Sequence, residues 1–91
     1  MTLTLAKMEK VEQEVVASLV ERGIEVRSDA LSSFNDLYLS LDNEENILTA
    51  RIYHDDRKGF IVNYVDTQTK EFKIENTKTI EKTILFLQYL M

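Results

Sequence analysis

The sequence predicts an α+β domain, a two-layer sandwich in which an N-terminal and a C-terminal helix pack on one face of an antiparallel β-meander of three to five strands. Three observations predict it. Apolar residues recur at three- and four-residue steps near both ends of the chain. Through the middle they alternate with polar residues, and short polar clusters separate the alternating runs.

The first element reads as an amphipathic helix over 4–22, with Leu5, Met8, Val11, Val15 and Leu19 on one stripe and Val16 and Val20 widening it. Gly23 stands where a left-handed residue ends a helix, and Ile24 follows as the apolar partner for Leu19 in a Schellman motif. Ile24–Arg27 alternates briefly, as a short first strand would, and leaves open whether that strand joins the meander. Residues 28–35 (SDALSSFN) lack a sustained period and are expected to form a loop. From Asp36 the alternation is plain, with Leu37, Leu39 and Leu41 on one face and Tyr38 and Ser40 on the other.

The cluster Asp42–Asn46 turns the chain into a strand over 47–55, and Asp56-Arg57-Lys58-Gly59 suits a tight turn into the next, 60–66. That turn sets Asp56 against Phe60, His54 against Val62 and Ile52 against Tyr64, which gathers the apolar residues on one face. A second turn at Thr67-Gln68-Thr69 leads to a strand over 70–75. There Phe72 is expected opposite Tyr64 and Ile74 opposite Val62, on the same apolar face, with Glu71, Lys73 and Glu75 pointing away. Asn76, Thr77 and Thr79 offer capping oxygens for a last helix, which carries Ile80, Ile84, Leu87 and Met91 on its main stripe. That helix is apolar nearly all round, and its surplus side is Leu85, Phe86, Tyr89 and Leu90.

A chain of 91 residues suits a single domain, 1–91, with a thin stability margin. The absence of cysteine excludes a disulfide framework and Cys-ligated zinc, so apolar packing must hold the fold. A chain built this way has no need of an oxidising compartment, and cytoplasm is the expected location. Early acidic residues (Glu9, Glu12, Glu14) argue against a signal peptide, and no apolar run approaches the length that spans a bilayer, so no membrane partner is expected. With 16 acidic and 11 basic side chains the net charge is −5, which opposes binding to nucleic-acid phosphates and suits a basic protein partner.

Motifs that would carry chemistry are missing from the pattern. His54 is the sole histidine, and Asp55 next to it on a strand would point to the other face, so His54 reads as a strand-end residue beside a polar turn. Asp42–Asn46 resembles the start of a calcium loop, but Ile47 and Tyr53 occupy the positions that need glycine and a bidentate glutamate. No serine lies in a glycine-flanked elbow, and Gly23 and Gly59 stand alone rather than in a phosphate-binding run. No catalytic residue, metal ligand or cofactor site is assigned. The helix–strands–helix order resembles that of the double-stranded RNA-binding domain, which depends on lysines at the start of its second helix. The matching stretch here, Thr77-Lys78-Thr79-Ile80-Glu81-Lys82, has two lysines and a glutamate, so the likeness is one of topology without the basic cluster.

The functional expectation is therefore a non-catalytic, acidic interaction module: a regulator, adaptor or inhibitor that binds a protein partner, a homodimer being one case. The surface expected to bind is the outer sheet face, with Tyr38, Ile47, Arg51, Tyr53, Ile61, Asn63 and Val65. Two alternatives remain open at this point. One is a small-ligand-binding protein or enzyme with a cleft between helices and sheet. The other is an acidic mimic of nucleic acid that blocks a nucleic-acid-binding enzyme.

Overall fold

A computed structural model describes residues 5–31 and 36–91. Helix α1 (Leu5–Val20) is followed by strands β1 (Glu25–Leu31), β2 (Asp36–Asp42), β3 (Ile47–Asp55), β4 (Gly59–Val65) and β5 (Phe72–Lys78), and by helix α2 (Ile80–Leu90). The strands form one antiparallel sheet in sequence order, β1-β2-β3-β4-β5. The predicted α+β sandwich is the observed one. Among the described residues no helix is long and apolar enough to cross a membrane.

The core lies between one sheet face and the two helices. Met8, Val11, Val15 and Leu19 of α1 and Leu87 of α2 close over Leu37, Leu39, Leu41, Leu48, Ala50, Ile52, Phe60, Val62 and Tyr64. Helix α1 covers β1 and β2, whereas α2 lies against α1, β4 and β5. Phe86 and Leu90, part of the surplus apolar side of α2, turn inward: Phe86 meets Tyr64 edge to face at 5.5 Å, and Leu90 packs on the core. Leu85 and Tyr89 stay exposed.

The ends of α1 and α2 follow from local chemistry. Gly23 takes φ +79°, the Ile24 N–H donates to the Leu19 carbonyl and the Gly23 N–H to that of Val20, which is the Schellman pattern. Thr79 caps α2 by accepting from the Lys82 N–H. Thr77, buried at the end of β5, shares a 2.6 Å hydrogen bond with the Thr83 hydroxyl, which donates to the Thr79 carbonyl. At the far end of α2 the Asn43 side-chain amide donates to the Met91 carbonyl at 2.6 Å, tying the β2–β3 turn to the helix.

Three expectations are corrected. Residues 28–31, expected as loop, continue β1, which pairs with β2 from Glu25 opposite Asp42 to Leu31 opposite Asp36. The rest of that expected loop, 32–35, lies outside the described residues. β1 thus does join the meander. Second, the β3–β4 turn is opened by Asp55 and not Asp56: its carboxylate accepts from the Arg57 and Lys58 N–H groups, and Gly59 at φ +81° pairs with Asp55. His54 therefore faces Phe60, Ile52 faces Val62 and Ala50 faces Tyr64. A slip of two residues keeps every side chain on its expected face, because the strand repeat is two.

The third correction has larger consequences. The β4–β5 loop holds one residue more than expected, since Lys70 adopts φ +63° and its N–H donates to the Asp66 carbonyl. The Asp66 carboxylate accepts from the Gln68 and Thr69 N–H groups and meets the Lys73 ammonium at 3.1 Å. The odd slip turns β5 over. Lys73 now faces Tyr64 and Glu75 faces Val62 on the helix side, while Phe72 faces Val65 and Ile74 faces Asn63 on the outer side.

These turn contacts carry a pH signature. The N–H of Thr69, then that of Gln68, then the Lys73 side chain hold the Asp66 carboxyl down from 3.8 to about 2. The N–H groups of Lys58 and Arg57 lower that of Asp55 as well. A depressed folded-state pKa gives stability that is complete above the unfolded value and is lost as pH falls through the folded one. Chemical denaturation should therefore show stability declining between pH 3.8 and about 2, with a shallower decline in Asp66→Asn. An unchanged acid limb in that variant would remove Asp66 from the explanation.

Candidate interaction surface

The sheet face opposite the helices has no second layer over it among the described residues. Cross-strand rows place its side chains: Tyr38 beside Arg51, Arg51 beside Asn63, and Asn63 beside Ile74. A neighbouring row runs Tyr53, Ile61, Asn76, and Val65 stands opposite Phe72. Toward β1 the face turns polar, with Arg27 beside Ser40 and Ser40 beside Thr49. Its two halves thus differ: β1 and β2 contribute mostly polar side chains, whereas β3 to β5 place Tyr53, Ile61, Val65, Phe72 and Ile74 around Arg51 and Asn63.

Of the seven residues expected from sequence, six fall within one cluster and one does not. Ile47 is opposite Asp42, which is opposite Glu25, so it sits in a shallow depression with Glu25, Arg27, Ser40 and Asp42, away from the apolar half. Ile61 belongs to the cluster but is only 6% exposed and stands outside the helix-side core, so its neighbours on the outer face cover it. It fills the floor of the patch. Tyr38 is exposed, and Tyr53, Asn63 and Val65 are half-buried.

Arg51 is held inside the chain. Its Nη2 and Nε lie 2.6 and 2.7 Å from the same Asp36 carboxylate oxygen, and its guanidinium stacks 4.8 Å from the Tyr53 ring centroid. Asp36 is buried at 4% exposure, so the ion pair answers a carboxylate that water cannot reach well. The guanidinium in turn fixes the Tyr53 ring through a cation–π contact, which lowers the entropy that Tyr53 would lose on binding. Asp36 has no pattern in the sequence to mark it; only the register reveals that Arg51 lies within its reach.

The residues that sequence reasoning placed elsewhere are Phe72 and Ile74. They are 81% and 67% exposed, on the outer side, next to Val65 and Asn63. Alternation over β5 marked them as facing together; only the loop length, which depends on Lys70 taking a left-handed conformation, could have shown which way.

No family model matches the chain, and no curated protein or solved structure is significantly similar to it. The candidate surface therefore rests on geometry alone.

Elsewhere the described residues offer less. His54 sits on the helix side against Phe60, ring to ring at 5.0 Å and edge on, with Nδ1 buried and lacking a hydrogen-bond partner among the described residues. Asp55 points to the opposite face and serves the turn, so the pair does not converge. No group of three His, Asp or Glu side chains among the described residues converges as a metal site would. The depressions between the helix ends, lined by Ser18, Glu21, Arg22, Ile84 and Gln88, are open and shallow.

Proposed function

We propose that this protein is a non-catalytic interaction module that binds a protein partner through the apolar half of its outer sheet face. The observation that carries this reading is the outward placement of Phe72 and Ile74 beside Val65 and Asn63, on the same sheet face as the Arg51-braced Tyr53. Phe72 and Ile74 at high exposure, with half-buried Val65 and Tyr53 on the same face, have the composition of an interface centre. Such a patch costs solubility when left bare, and a covered one is what large exposed apolar areas usually mark. Tyr38, Tyr53 and Val65 supply further contact, Ile61 supports them from beneath, and the net charge of −5 favours a partner with a basic rim.

The experiment uses immobilised protein as bait and compares it with the double variant Phe72→Asp/Ile74→Asp. A protein retained at high salt by the wild type should be lost from the variant, with the thermal midpoint little changed. Retention of the same proteins by both baits would remove this face from the account. Binding that collapses with added salt would favour an acidic mimic of nucleic acid instead, because screening weakens charge contacts and spares apolar ones.

A further inference from the structure

β5 is the last strand of an open sheet, and it is exposed at every position from Phe72 to Lys78 except Thr77. Its helix-side residues Lys73 and Glu75 are exposed, so α2 covers this strand only at its Thr77 end. Its free edge has a definite hydrogen-bonding phase. The Asp66 N–H donates to the Glu71 carbonyl, which makes these two a hydrogen-bonded pair across the antiparallel ladder. Such pairs alternate, so residues 71, 73 and 75 direct their backbone groups to β4. Phe72, Ile74 and Asn76 direct theirs outward, to the free edge. An edge of this kind is a template for another strand.

We propose that β5 pairs antiparallel with β5 of a second copy of this chain, about a two-fold axis at Ile74, so that two sheets join into one. An isologous contact must bring outward-directed residues opposite each other, which leaves axes at Lys73, Ile74 or Glu75 within the regular part of the strand. The first sets Lys73 against Lys73 and Glu71 against Glu75; the last sets Glu75 against Glu75. Like charges directly opposite destabilise a strand pair. The axis at Ile74 sets Lys73 of each copy against Glu75 of the other, Phe72 against Asn76, and Ile74 against itself. Charge therefore selects one register. Lys73 can serve both Asp66 and Glu75, since its ammonium carries three donors and sits half exposed. Glu75 is exposed and has no ion-pair partner among the described residues. The joined sheet would also bring Phe72 and Ile74 of both copies together on its outer face.

This pairing uses the strand edge and helix-side charges, so it can fail without the outer-face reading failing, and the reverse. Light scattering across a dilution series from micromolar to submillimolar concentration should show the full chain dimerising. Lys73→Glu and Glu75→Lys, each alone, set like charges opposite and should weaken the dimer by about tenfold or more. An equimolar mixture of the two restores opposite charges at both contacts and should recover the wild-type affinity. Lys73→Glu also gives up the Asp66 ion pair, but Glu75→Lys does not, so circular dichroism of the latter separates pairing from folding. A chain that stays monomeric throughout, single variants that dimerise like wild type, or a mixture that stays monomeric would each overturn the proposal.

Discussion

Gly59→Ala should destabilise the protein by about 3 kcal/mol or more, clearly beyond the cost of Gly23→Ala. Both glycines hold left-handed backbone, with φ +81° and +79°. An L-residue in that region costs about 1–2 kcal/mol, and this sets the whole expected loss at Gly23, where an added Cβ meets nothing within 4 Å. At Gly59 the same Cβ would lie 2.9 Å from the Lys78 Cα and closer still to the Lys78 carbonyl oxygen. Those are backbone atoms and cannot swing aside. The crowding arises because the β4–β5 ladder shifts register between Phe60 and Ile61, which lets Lys78, itself at φ +67°, come up against the β3–β4 turn. Relieving it would require β5 to move away from β4 or the turn to open.

The measurement is thermal unfolding of both variants under one set of conditions. For a domain of this size each kilocalorie lost lowers the thermal midpoint by about 4–8 °C, so the two alanine variants should separate clearly. Equal losses would show that backbone conformation alone sets the cost and that Lys78 yields easily. The comparison matters for function because Gly59 anchors one end of β5, the strand that carries Phe72 and Ile74.

Most of the fold was legible because its signals are local. The three- and four-residue steps from Met8 through Val11 and Val15 to Leu19, the Leu37–Leu41 alternation and the Gly23 stop each depend on neighbours in sequence, and each appears where expected. Strand registers were less legible, for a physical reason. A hairpin is set by which side chain captures the turn's N–H groups, and Asp55 and Asp56 are chemically equal candidates until the chain closes. That ambiguity proved harmless at β3–β4, where the slip was even. It reversed β5, where the slip was odd. Residues 28–31 hid the end of β1 because they carry no sustained period and their pairing with β2 is supplied by a strand later in the chain. On the candidate surface, Tyr38, Arg51, Tyr53, Asn63 and Val65 could be read from alternation alone, whereas Phe72 and Ile74 depended on the conformation of Lys70.

The reversed strand makes a second large and opposite pair of effects. Leu39→Ala should cost about 2–5 kcal/mol, because Leu39 is 2% exposed in the closed layer beneath α1 and the helix cannot fully collapse onto the void. Phe72→Ala should stay within about 0.5 kcal/mol of wild type, because a side chain 81% exposed loses little packing. Had β5 kept the register that puts Phe72 opposite Tyr64, its ring would be core, and its removal would cost about 3–5 kcal/mol. Unfolding curves of Phe72→Ala therefore decide the register of β5 by a wide margin, at submicromolar concentration where pairing between copies does not contribute. A loss comparable to that of Leu39→Ala would return Phe72 to the core and empty the outer face of its most exposed anchor. A neutral result leaves an aromatic ring held in water by a strand that does not need it to fold, which is what the proposed interface requires of Phe72.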